Sequence, residues 1–83
     1  MDRSIKLRIK IDINSKENLQ ILSLKGALIC KKYTEIIHMA DETENYSLHT
    51  FTVQPEAKPE IIAFINNYII DEGIEDIISV IKV

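Results

Sequence analysis

The sequence predicts one α+β domain, a two-layer arrangement in which two helices cover one face of an antiparallel sheet. Three observations carry this expectation: strict apolar–polar alternation over residues 5–13, two segments with helical apolar spacing, and an acidic turn between two β-branched runs. The 83 residues form a single domain, 1–83. That is near the lower size at which a core suffices unaided, so self-association or a protein partner is expected.

Ile5, Leu7, Ile9, Ile11 and Ile13 alternate with Lys6, Arg8, Lys10 and Asp12, the period-two signature of a strand with one buried face. Asn14 then reads as an N-cap, with Glu17 in capping-box position. Leu19, Leu22 and Ile29, interleaved with Ile21, Leu24 and Leu28, make a broad apolar helical face, and Lys31 and Lys32 suit its C-terminal end. Gly26 weakens this helix by about 1 kcal/mol relative to alanine, and a hairpin turning at Lys25-Gly26 is the alternative reading.

Thr34 to Met39 and Tyr46 to Val53 read as strands joined by the acidic residues 40–45. The apolar phase of the second shifts between Leu48 and Phe51, which a bulge or burial on both faces would explain. Pro55 and Pro59 mark the entry to a second helix, with Pro59 suited to its first turn. Ile61, Ile62, Phe64, Ile65, Tyr68 and Ile69 form the apolar face of that helix. Gly73 serves as its C-cap before a last strand over 78–83, while helical spacing of Ile74, Ile77, Ile78 and Ile81 is the competing pattern. The order βαββα(β) predicts a ferredoxin-like two-layer sandwich.

The net charge of −3 conceals a split: residues 1–32 carry +5 and residues 33–83 carry −8. Such a split can steer a charged partner to one face. The lone Cys30 has no internal disulfide partner and fits a reducing, cytoplasmic setting; it reads as a small buried apolar side chain, with a reactive thiol as the alternative. Asp2, Arg3 and Lys6 interrupt any signal-like apolar run, and no apolar run is long enough to cross a membrane.

No pattern in the chain specifies an enzyme. The serines lie in no nucleophile-elbow or triad context, and Gly26 and Gly73 are too isolated to form a phosphate-binding loop. His38 and His49 are weak metal candidates that come close only if the two strands pair in simple register; exposed strand histidines are the favoured reading, with no metal and no cofactor. Asp41, Thr43 and Asn45 alternate like the start of an EF-hand loop, but Tyr46 and Thr52 stand where that loop needs glycine and glutamate. Lys6, Arg8 and Lys10 make a basic strand face. Without interleaved aromatics to stack on bases, direct nucleic-acid binding by this chain alone is not expected.

Two family resemblances follow from order and motif. The segment Pro59–Ile69, preceded by a strand–turn–strand and the Asn14–Glu17 helix start, resembles the small dimer-forming Pcc family of the KEOPS tRNA-modification complex. Asn66, Asn67, Tyr68 and Ile69 match that family's Asn-Ser-Tyr-Leu-like stretch, whereas Ile61-Ile62 replaces its Leu-Arg pair and Gly73 interrupts its long helix. The resemblance implies a non-catalytic accessory subunit that dimerises and docks through helical surface, with Phe64, Tyr68 and Ile69 as interface candidates. The chain is also similar to ACT-like regulatory domains in its βαββαβ order and its Ile77–Val80 ending. That similarity implies a small-molecule or metal-ion site, although Asn14-Ser15-Lys16 stands where those domains place glycine.

Overall fold

A computed structural model describes residues 3–81. The order is β1 (Ser4–Lys10), α1 (Ser15–Cys30), β2 (Ile37–Asp41), β3 (Tyr46–Thr52), a 3-10 turn (Pro55–Ala57), α2 (Lys58–Glu72) and β4 (Ile78–Ile81). The sheet has the order β2-β3-β1-β4 with every neighbouring pair antiparallel. This is the ferredoxin-like sandwich that the element order predicts.

β1 lies in the middle because its alternation gives it one fully apolar face. Ile5, Leu7 and Ile9 point to the helices and are buried, while Lys6, Arg8 and Lys10 point the other way. Ile21, Leu24 and Leu28 of α1 and Ile61, Ile65 and Ile69 of α2 pack onto this row, with Phe51, Ile74, Ile77 and Ile78 completing the core. The strand is shorter than the alternation suggests. It ends at Lys10, leaving Ile11 exposed and Ile13 half-buried against the core.

The Asn14–Glu17 capping box forms in both directions: the Glu17 amide donates to Asn14 Oδ1 at 2.8 Å, and the Asn14 amide donates to Glu17 Oε1 at 3.0 Å. α1 then runs unbroken through Gly26, which removes the hairpin alternative. Packing of Ile21, Leu24 and Leu28 outweighs the propensity loss at a single glycine. Pro59 sits in the first turn of α2. At the other end Gly73 is left-handed, with φ 66°, and closes a Schellman-type cap: the Ile74 amide donates to the Ile69 carbonyl at 3.1 Å and the Gly73 amide to that of Ile70 at 3.2 Å. The chain therefore leaves α2 for β4, which pairs with β1; residues 82 and 83 of the expected last strand lie outside the described residues.

Two expectations for the middle strands need correction. β2 starts at Ile37, not Thr34, because Lys32 turns the chain at φ 62° and Thr34 is buried with its hydroxyl donating to the Ile36 carbonyl. β3 contains no bulge: its register against β1 is continuous from Ser4↔Thr52 to Lys10↔Tyr46. The apparent phase shift arises because two polar residues, Ser47 and His49, share the buried face with Phe51 while Leu48 turns outward.

The two glycines predict opposite responses. Gly73→Ala places a side chain on a left-handed residue and should lower stability by about 1 kcal/mol. Gly26→Ala fills open space in a helix interior and should raise stability by up to about 1 kcal/mol. Urea denaturation with a constant m-value checks both signs.

Candidate functional site

The helix-free face of the sheet collects the basic row. Lys6, Arg8 and Lys10 lie opposite Thr50, Leu48 and Tyr46 of β3, and Lys6 and Arg8 also lie opposite Ile81 and Ser79 of β4. The acidic turn reaches back over this face. Arg8 Nε donates to Glu42 Oε1 at 2.7 Å and its second guanidinium nitrogen to Oε2 at 3.1 Å, a bidentate clasp. The hydrogen bond and charge of Glu42 raise the Arg8 pKa, and the same bond holds the Glu42 carboxyl below its ordinary range. An open groove of about 420 Å³ beside this pair is lined by Glu42, Tyr46, Glu75 and Asp76 among others. The middle cation is thus neutralised and the end of the row is acidic. The face is mixed in sign, with Tyr46 and His38 also on it.

The acidic turn itself is organised by its own residues. Thr43 Oγ1 accepts from the amides of Asn45 at 3.2 Å and Tyr46 at 3.1 Å. Among the described residues, no group of three or more His, Cys, Asp or Glu side chains is placed to hold a metal ion. His38 and His49 do not share a face. The register sets His38 opposite Thr50 and Met39 opposite His49, so His38 points outward while His49 points into the core.

His49 is 3% exposed and touches Ser47, whose Oγ lies 3.1 Å from His49 Nε2 and donates to the Ile9 carbonyl at 3.3 Å. With the serine proton committed to Ile9, Nε2–H must be the donor to Oγ. Nδ1 is then a bare lone pair, and it is buried without a partner. Burial, followed by the nearby positive charge of Lys25, lowers the His49 pKa from 6.5 to about 4. The pair is buried on the helix-facing side of the sheet, beside the apolar core. The expectation of an exposed strand histidine therefore fails at His49, although the alternation Ser47, His49, Phe51, Val53 held the signal of a buried face.

The three interface candidates on α2 are engaged inside the fold. Ile69 is 5% exposed and belongs to the core, so it offers no docking surface. Phe64 meets Tyr33 edge-on at 5.9 Å, with Lys31 Nζ 5.1 Å from its ring. The Tyr68 hydroxyl donates to the Gln20 carbonyl at 2.9 Å, and Gln20 Nε2 reaches the carbonyl and carboxylate of Glu72 at 3.3 Å. Desolvation, with the Glu72 charge, raises the Tyr68 pKa. The Tyr68 and Gln20 contacts clasp α2 to α1, and those of Phe64 hold it to the loop that follows α1.

An exposed apolar stripe lies on α1, where Cys30, expected to be buried, is also exposed; Ile11, Ile36, Met39 and Ile70 are exposed elsewhere on the surface. Ile21, Leu24 and Leu28 face the core, whereas Leu19, Leu22 and Ile29, read in sequence as part of the same broad face, are 63%, 50% and 46% exposed. Their spacing of three and seven residues puts them on one solvent-facing stripe together with Gly26. Nothing distinguishes the two triplets by composition; only the placement of the helix on the sheet does. No family model, no curated protein and no solved structure matches the chain.

The His49 environment predicts a pH response of defined sign. Because the folded-state pKa lies below the unfolded value of 6.5, the native state binds fewer protons. Stability is then full above pH 6.5, falls as pH drops toward about 4, and loses about 2 kcal/mol after allowance for partial screening. Urea midpoints at pH 7.5 and 4.5 measure the loss, and His49→Leu should flatten that interval.

Proposed function

We propose that this chain is a non-catalytic protein-interaction and dimerisation module, an accessory subunit of a larger cytoplasmic assembly. The observation that carries the reading is α1, apolar on its core face and again on its solvent face. An exposed apolar stripe rimmed by polar residues marks an interaction surface. Covering Leu19, Leu22 and Ile29 would contribute about 1.5–3 kcal/mol for each side chain fully removed from water. The tRNA-modification setting comes from the Pcc-like stretch Asn66–Ile69, and docking through helical surface is what that resemblance implies.

The ACT-like alternative, a regulatory domain binding a small molecule or metal ion, is favoured by one feature, the closing strand β4 paired with β1. Against it, the first strand–helix junction is occupied by its own capping box, which uses the Asn14 and Glu17 amides internally. Thermal shift against amino acids and divalent metal ions separates the readings: a ligand-dependent rise in Tm supports the alternative.

The interaction reading predicts that the double substitution Leu19→Lys, Leu22→Lys leaves the fold intact, because both side chains are exposed. It should also abolish the chain's contacts with its partner. Chemical cross-linking followed by mass-spectrometric identification of the joined peptides reads this directly. Unchanged cross-links through α1 would sink the proposal.

A further inference from the structure

We infer that the solvent face of α1 pairs with α1 of a second copy of this chain, antiparallel, with Leu22 of each copy seated over Gly26 of the other. The inference rests on the interaction-module reading and names its partner.

The stripe carries no charge. Residues 15, 18, 19, 22, 26, 29 and 30, which share this side of the helix, are Ser, Asn, Leu, Leu, Gly, Ile and Cys. A polyanion or an acidic peptide has nothing to recognise there. An apolar surface does, and the order of sizes selects which one. Reversing the helix about the level of Leu24 exchanges Leu19 with Ile29 and Leu22 with Gly26. A two-fold-related copy therefore sets large against large at both ends of the seam and a large residue against the gap in the middle on both sides. The gap is real: a side-chain carbon added at Gly26 would meet nothing within 4 Å. Antiparallel packing also places the positive end of each helix dipole beside the negative end of the other, whereas parallel packing would set like ends together.

The area fits a weak dimer. α1 has 16 residues, so it is about 24 Å long, and a single helix seam covers roughly half of the ~800 Å² per partner that a stable complex needs. α2, on the same side of the sheet, adds exposed Ala63 and Ile70. Together they suit an association on the order of tens of micromolar.

The test uses the purified full chain. Sedimentation from about 10 µM to about 1 mM should show a reversible monomer–dimer equilibrium. Gly26→Leu should raise the Tm of the monomer, since leucine is the better helix former, yet weaken self-association by about tenfold or more by filling the gap. A cysteine cross-linking test fixes the register. The two native Cys30 residues would lie about 18 Å apart along the seam, beyond disulfide reach. In Leu19→Cys the new thiol lies at the level of the partner copy's residue 29, next to its Cys30, and mild oxidation by dissolved oxygen should give a covalent dimer that a thiol reductant releases. Wild type should give none.

A wild type that stays monomeric to about 1 mM overturns the inference, as does a Gly26→Leu protein that associates as tightly as wild type. Cross-linking through Cys30 in wild type but not through Leu19→Cys also overturns it, and so does partition onto phosphatidylcholine vesicles in place of self-association. A monomer whose contacts with another chain still depend on Leu22 overturns the second-copy inference alone. A monomer with no Leu22-dependent contact overturns the interaction-module reading as well.

Discussion

β1 is hydrogen-bonded on both edges, to β3 and to β4, and its Ile5, Leu7 and Ile9 form the floor on which both helices rest. A one-residue slip of this strand would turn that row to solvent and drive Lys6 and Arg8 into the core. The rest of the fold inherits its register from this constraint. The outward basic row, the reach of Glu42 back to Arg8 and the inward placement of Ser47 and His49 all follow once Ile9 sits opposite Ser47.

Where local pattern and tertiary placement agree, the chain was legible. The alternation around Leu7, the Asn14–Glu17 cap, Pro59 in the first turn and the Gly73 stop each have a local physical cause, so each appears where residue chemistry puts it. The misread places are those that only packing decides. The β3 pattern runs polar-in and Leu48-out because β1 dictates the face, whatever hydropathy prefers. His38 and His49 part to opposite faces for the same reason, since a shift of one position in register decides whether two strand residues meet. On α1 two apolar triplets compete for one core. Side-chain type cannot rank Leu22 against Leu24 until the sheet beneath is in place.

The two layers divide the work. The sheet's open face pairs its central cation with an acid from its own turn, which blunts a charged track. The helix layer keeps α1 and α2 together through Tyr68 and Gln20 and leaves an apolar stripe of α1 facing outward. Between them the neutral His49 ties core integrity to pH, because protonation would put a charge in a buried site, with the positive Lys25 nearby. The helices thereby carry the exposed apolar stripe of α1, with the sheet as their support.

The antiparallel pairing of Lys6 with Ile81 brings the chain's path in and its path out to one corner of the sheet. A force applied across that corner would peel β4 from β1 one ladder bond at a time, as a zipper opens, instead of loading all the bonds together in shear. The same corner allows the unit to be spliced into a surface loop of another protein with little distortion of the host.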